Sequence, residues 1–258
     1  MNDFLKAYIA AHDYHDITGR CVAWLKGWFA ENGPESPAVI GISGGKDSSV
    51  VAALCKEALG SERVFGVLMP NGVQNDIDVS HALVEYLGIP HAVVNIRDGY
   101  NGIVNAVCEG LCSSALSSQT LVNLGPRLRM ATQYAVSQNM NGRVSNNSNR
   151  SEKYVGYSTV FGDSAGDFSP LADLTVTEVK LIGSILGLPP MFTEKAPSDG
   201  LTSRTDEDAF GFTYEQLDTY ILTGECDALI KEKIEKRHTA NLFKLKPMPY
   251  FVKEECVK

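Results

Sequence analysis

Residues 38–43, Ala-Val-Ile-Gly-Ile-Ser, form an uncharged and mostly apolar run that stops at the pair Gly44-Gly45. A run apolar on both faces suits a strand covered on both sides, as in a parallel sheet. Behind the glycines, 47–59 carries a helical apolar pattern closed by Gly60. The alternation then recurs, with a strand over 64–69, a helix over 76–87 ended by Gly88 and a strand over 91–96. Helices follow over 100–116 and 121–139, the second interrupted early by Pro126, and 142–147 is a weaker fourth strand. Strands alternating with helices require right-handed crossovers. The expected fold class is therefore α/β, a doubly wound and mostly parallel sheet with helices on both faces. Ligands of such sheets lie beyond the carboxyl ends of the strands. That rule gathers Ser43, Pro70-Asn71 and Asn146-Asn147 around one crevice.

The flanks are helical. Cys21, Val22, Trp24, Leu25, Trp28 and Phe29 have helical spacing before Gly33-Pro34 and Pro37 break the pattern. After residue 150, a helix is expected over 174–186 and closing helices over 214–222 and 226–238. The polar stretch 198–208 is either a mobile lid or a plain surface loop. A chain of this length can bury a full core without disulfides, either as one large α/β domain over residues 1–258 or as two small domains.

Charge and cysteine usage narrow the setting. The 23 basic and 31 acidic residues leave a net charge of −8, which argues against a protein that grips duplex phosphates. The six cysteines, at 21, 55, 108, 112, 226 and 256, never take the Cys-x-x-Cys spacing of zinc or redox sites and are read as buried small hydrophobes. The first residues lack the basic start and apolar run of a signal peptide, and no apolar stretch nears the ~18–20 residues that span a bilayer. A reducing cytoplasm is expected, in which the Asn-x-Ser sequons at Asn146 and Asn149 are chance matches.

The chemistry concentrates in Ile42-Ser43-Gly44-Gly45-Lys46-Asp47-Ser48-Ser49. Two glycines let backbone N–H groups approach an anion, and the following helix offers free N–H groups and a partial positive charge. Ser43 and Ser48 can donate hydroxyl hydrogen bonds to phosphate oxygens. Asp47 carries negative charge where phosphate would repel it, which makes sense with a bridging Mg²⁺. A Walker A loop is excluded because Ile40 and Asp47 stand where it needs Gly and Ser/Thr, and no Gly-x-Gly-x-x-Gly fingerprint occurs.

Ser-Gly-Gly-x-Asp-Ser after an apolar strand resembles the pyrophosphate loop of the N-type ATP pyrophosphatases, which cleave ATP to AMP and pyrophosphate on an adenine nucleotide alpha hydrolase-like fold. Asn123…Arg127-Leu-Arg129-Met130, Asn149-Arg150-Ser151-Glu152, Gly156-Tyr157 and Phe161-Gly162-Asp163 resemble the corresponding blocks of NAD synthetases. Asp167…Pro170-Leu171, Thr177-Glu178, Pro197-Ser198 and Thr205-Asp206-Glu207-Asp208…Leu217-Asp218 continue the resemblance in register, from about residue 38 to 246.

The resemblance implies an ammonia-dependent NAD synthetase, a ligase that adenylates the nicotinate carboxylate of deamido-NAD with ATP and amidates it with ammonia. It implies an ATP group of Gly41, Ile42, Ser43, Gly44, Gly45, Lys46, Asp47, Ser48, Asn147 and Ser198, with Mg²⁺ on Asp47 and Glu152. It places deamido-NAD on Arg127, Asp167 and Lys244, and makes Asp47 and Asp163 the catalytic carboxylates, Asp163 for the proton of ammonia. It further implies a homodimer, for which the Trp-bearing first helix is either an interface or an internal element, and closure of 198–208 over the adenylate. The chain departs from the family at four positions. Val160 and Val176 align with lysines that contact deamido-NAD and ATP, Asn147 with a common Thr and Phe243 with a common His. Lys180, one turn after Val176, is expected to compensate. Two rival readings share these motifs: a related ATP pyrophosphatase acting on another carboxylate or a tRNA base, and a non-catalytic nucleotide sensor.

Overall fold

A computed structural model describes residues 1–74, 77–194 and 206–253. The helical spacing of the first 32 residues resolves into two helices, α1 (Asp3–Ala10) and α2 (Tyr14–Asn32). Asn2 caps the first by accepting from the Leu5 N–H, and Asp13 caps the second by accepting from the N–H groups of His15 and Asp16. Four parallel strands follow, β1 (Ala38–Gly41), β2 (Val64–Leu68), β3 (His91–Val93) and β4 (Arg143–Val144), in the order β3-β2-β1-β4. Ala38 pairs with Val64 on one side and with Arg143 on the other.

Alternate side chains of the strands enter different cores. Ala38, Ile40, Val64 and Leu68 pack with α2 and with α3 (Lys46–Leu59), α4 (Ile77–Leu87) and α8 (Val176–Ile185). Val39 and Val67 point the other way, where Leu128, Val136 and Met140 cover them. Helices therefore lie on both faces, α5 (Arg97–Gly110) resting on α6 (Ser118–Asn139). The capping box of α8, Thr175 with Glu178, is shared with α2, because the Tyr14 hydroxyl donates to Glu178 at 2.9 Å.

Helix α6 runs unbroken through Pro126, contrary to the expected interruption. Proline removes one N–H and leaves the carbonyl four residues earlier unpaired. Here that carbonyl belongs to Val122, a partly exposed residue in the second turn of the helix. Cys55 is buried as expected, whereas Cys112 stands exposed just beyond α5.

The remaining helices are α7 (Arg150–Tyr154), α9 (Pro190–Thr193), α10 (Asp206–Phe210), α11 (Tyr214–Thr223) and α12 (Ala228–Leu245). Val155, Val176, Phe210, Tyr214, Leu217 and Ile234 bind α7, α8, α10, α11 and α12 into a second core. The chain leaves β1 for β2 and β3 on one side and returns to β4 on the other, so the order reverses at β1. That reversal opens a crevice beyond the carboxyl ends of β1 and β4. Among the described residues, no helix is long and apolar enough to cross a membrane.

Candidate active site

Gly41 closes β1, and five residues later the chain is in α3. Gly44 makes this possible with φ +71°, a left-handed value that side chains resist. A Cβ there would also stand 3.1 Å from the Ser80 backbone nitrogen, so the loop is pressed against α4. Gly45 caps α3 without a side-chain bond. The first turn of any helix leaves N–H groups without intrahelical partners, and that of α3 follows directly on the carboxyl end of β1. The two serines divide their tasks. Ser43 is exposed, whereas Ser48 is buried, and its hydroxyl donates to the Gly45 carbonyl at 3.1 Å and lies 3.1 Å from Ser43 Oγ.

The strand opposite supplies the second wall. Asn147 donates to the Gly41 carbonyl at 3.1 Å and accepts from Ser145, so its amide spans the ends of β1 and β4. Fully buried Asn149 does two things at once. Its oxygen caps α7 by accepting from the Glu152 N–H at 2.9 Å, and its amide donates to Asp47 Oδ1 at 3.0 Å. Asn149 thereby brings Asp47 and Glu152, far apart in sequence, to one point.

Between those carboxylates lies Lys46. Its Nζ is 2.9 Å from Asp47 Oδ2 and 3.8 Å from Glu152 Oε1. Burial, and then the charge of Asp47, push Glu152 up to about 8, with Lys46 pulling the other way. Burial alone would lower Lys46, but Asp47 and Glu152 outweigh it and hold the ammonium above its ordinary range. A third carboxylate completes the wall: Asp206 accepts from the hydroxyls of Tyr157 at 2.9 Å and Tyr214 at 3.0 Å, and the Tyr214 ring lies 5.4 Å from Lys46 Nζ. Two carboxylates facing a phosphate-sized loop suit Mg²⁺, which binds through one or two carboxylates plus phosphates. Among the described residues, no group of three or more His, Cys, Asp and Glu side chains forms a closed metal cage.

Beyond Asn146 lies a second neighbourhood. Asn146 donates to the carbonyls of Asp163 and Ala165, and Asp163 accepts from the Thr159 N–H at 2.6 Å. Lys244 donates to the carbonyls of Gly156 at 2.8 Å and Ser158 at 3.1 Å, and burial lowers its ammonium from the ordinary value. Lys244, Lys153, Arg150 and His238 line a cavity of about 350 Å³ that also reaches Asn146 and Ser148. Arg127 is exposed and donates to the Val160 carbonyl at 3.3 Å. Asp167 is committed on both oxygens, accepting from the Val144 N–H at 2.7 Å and from the Tyr134 hydroxyl at 3.2 Å. It ties the exposed edge of β4 and leaves only spare lone pairs for a ligand. Ser198 and most of the stretch 198–208 lie outside the described residues.

Lys180 does not face the crevice. Its Nζ pairs with Glu194 at 2.8 Å, while Val176 is buried in the second core. Residues 176 and 180 are one turn apart on α8, but the longer side chain is drawn outward by Glu194. Sequence reasoning also missed Gln133. Its carboxamide lies flat on Gly41, and its oxygen has no hydrogen-bond partner among the described residues. No local pattern in α6 marks that position.

Residues 17–249 match the family model described as NAD synthase. The chain belongs to the NAD synthase family. Membership makes it an ATP-using ligase of NAD biosynthesis. It is 38% identical over 215 residues, 80% of this chain and 87% of the relative, to an NH(3)-dependent NAD(+) synthetase of Finegoldia magna. Among solved structures, the NMN synthetase of Francisella tularensis superposes with a TM-score of 0.83 at 32% identity, covering 93% of this chain and 100% of the other. An NH3-dependent NAD synthetase from Campylobacter jejuni, in complex with nitrate, gives 0.74 at 29% identity over 94% and 100%. Both structures and this chain thus share one overall fold.

Proposed function

We propose that the chain, acting as one unit over 1–258, converts deamido-NAD, ATP and ammonia to NAD, AMP and pyrophosphate. The observation that carries this reading is the meeting of the Gly44-Gly45 loop with Asp47 and Glu152 at the switch point of the sheet. A nicotinate oxygen attacks the α-phosphorus of ATP, and the bond from that phosphorus to the bridging oxygen breaks, releasing pyrophosphate. Ammonia then attacks the carboxyl carbon of the adenylate and AMP leaves, the surplus proton passing to a base. A free carboxylate has no workable leaving group, and AMP supplies one.

The residues divide the work as follows. Gly41 to Ser48 and Asn147 hold the triphosphate, the first-turn amides of α3 facing the negative charge that grows on the leaving group. Asp47 and Glu152 would hold Mg²⁺, which when bound offsets further charge on pyrophosphate. Arg127, Asp167 and Lys244 orient the nicotinate nucleotide, and Asp163, beside Lys244, takes the ammonia proton. Ser198 and 198–208 are proposed to close over the adenylate, which would keep water from it. The chain works in the cytoplasm, and free ammonia is its nitrogen donor.

A second reading of the acceptor is favoured by the Francisella structure, an NMN synthetase that superposes over its full length. Val160, Val176 and Phe243 remove three polar groups from a site built for two polyphosphates. An acceptor with a single phosphate, nicotinate mononucleotide, needs fewer cations. Incubation with ATP, Mg²⁺ and ammonium, in the presence of either nicotinate nucleotide, tests both readings. AMP formed with deamido-NAD supports the first, AMP formed only with the mononucleotide the second, and ADP with orthophosphate refutes both.

A homodimer is also proposed. Helix α2 buries Leu25 and Phe29 inside the chain and leaves Trp24 exposed. Helix α5 exposes Ile103, Val107 and the following Leu111 at four-residue spacing, with Val122 of neighbouring α6. Val107→Glu is expected to shift the sedimentation mass from dimer to monomer, and an unchanged mass would exclude this face.

A further inference from the structure

Lys46 is only 6% exposed, although lysine is among the residues least often buried. It is the first residue of α3, inside the phosphate loop, yet its side chain is buried against neighbouring groups. The ammonium touches Asp47 at 2.9 Å, lies 3.8 Å from Glu152, and rests over the ring of Tyr214, whose hydroxyl donates to Asp206. Two carboxylates therefore flank one cation, and a third, Asp206, stands behind the Tyr214 hydroxyl. Without it, Asp47 and Glu152 would stand close together with no positive charge to offset them, a costly arrangement away from bulk water.

A metal ion arriving with nucleotide needs the carboxylate lone pairs that Lys46 now engages. Metal and ammonium both carry positive charge, so they cannot share Asp47 and Glu152 without repulsion. A four-carbon stem rooted in the loop can swing its head toward the mouth, where polyphosphate oxygens take over as acceptors. We infer that the Lys46 ammonium is an internal counter-cation, which holds the Asp47–Glu152 pair in the metal-free protein and passes to the polyphosphate when metal and nucleotide enter together. The exchange makes each of the two ligands improve the site for the other. Metal alone meets a competing cation, and nucleotide alone finds Lys46 engaged elsewhere. This inference rests on the proposed Mg²⁺ role of Asp47 and Glu152.

The test compares wild type with Lys46→Met and Lys46→Arg in calorimetric titrations. Mn²⁺ alone is titrated first, as a probe of the carboxylate pair, and Mg²⁺ with ATP second. Lys46→Met is expected to bind Mn²⁺ at least about tenfold more tightly than wild type, because a unit charge beside the site has been removed. The same variant is expected to bind ATP with Mg²⁺ about tenfold or more weakly, whereas Lys46→Arg, which keeps the charge, stays near wild type in both. The opposite signs separate this role from a purely structural one, since a damaged fold weakens both ligands together. Mn²⁺ affinity in Lys46→Met equal to or below that of wild type overturns the inference. Titration without nucleotide judges Lys46 by itself, while AMP release by the wild-type protein judges the enzyme reading. The two can therefore fail separately.

Discussion

Glu152→Gln is expected to cut AMP formation by at least about a hundredfold, the scale of losing a group that stabilises transition-state charge. The amide keeps the shape of the carboxylic acid but cannot supply the negative charge that a divalent ion needs. The fold should hardly change near neutral pH. Burial and the charge of Asp47 push Glu152 up to about 8, and the amide keeps the size of the side chain beside Lys46. The sign of the pH dependence follows. A carboxyl raised above its ordinary value contributes stability at low pH and loses that contribution as pH rises through about 8. Metal-free wild type should therefore lose melting temperature from about pH 6 to pH 9 by more than the Gln variant does. Metal binding should strengthen over the same interval in the wild type alone. Equal AMP formation by the two proteins at saturating Mg²⁺ would remove Glu152 from the mechanism.

Asp218→Ala should be the most damaging single change to stability. Asp218 is fully buried, and its oxygens accept from Ser151 Oγ at 2.5 Å, the Thr177 N–H at 2.8 Å and the Thr177 hydroxyl at 2.7 Å. Burial raises its carboxyl above the ordinary range, and the Ser151 and Thr177 donors oppose the rise. Those bonds join α11 to the starts of α7 and α8. Alanine would leave buried donors without an acceptor, a loss of about 3–5 kcal/mol for a buried charged network. At roughly 2–4 °C per kcal/mol, the melting temperature should fall by about 10 °C. Asp218→Asn should fall between, because its oxygen can serve one side while its NH₂ group faces donors on the other. Ser151 directly precedes Glu152, so the alanine variant should also raise the metal requirement of any activity that survives. A melting temperature within about 2 °C of wild type would show that the network is not what joins these helices.

The contiguous parts of this molecule were legible in its sequence. Residues 38–60 disclose strand, turn and helix because apolar content, glycines and polar residues change over a few positions, and the loop chemistry lies in that same stretch. The three-strand alternation followed for the same reason. What could not be read depends on residues distant in the chain. Asn149 lies within a motif, but nothing local reveals that its amide reaches Asp47. Asp206 comes near the loop only through Tyr157 and Tyr214, on a five-residue helix too short to show a period. Strand β4 is two residues long and looked weak because most of its role falls to the bridge between Ser145 and Phe168. Lys180 went astray because helical phase locates a residue but says nothing about a carboxylate waiting on the neighbouring α9 side, here Glu194.

The position of β4 has a consequence for synthesis. Strand β1 obtains its first neighbour from β2, close behind it in the chain, but its other neighbour only from Arg143 and Val144. While the ribosome makes the intervening helices, one side of β1 has unsatisfied peptide groups, the kind of edge on which nascent chains associate wrongly. A polypeptide released before Arg143 would carry the glycine loop and Asp47 without Asn149 or Glu152. Truncated products of this protein should thus be sticky and inert, since the edge stays open until Arg143 and Val144 are made and the site stays incomplete until Asn149, Glu152 and Asp206 follow.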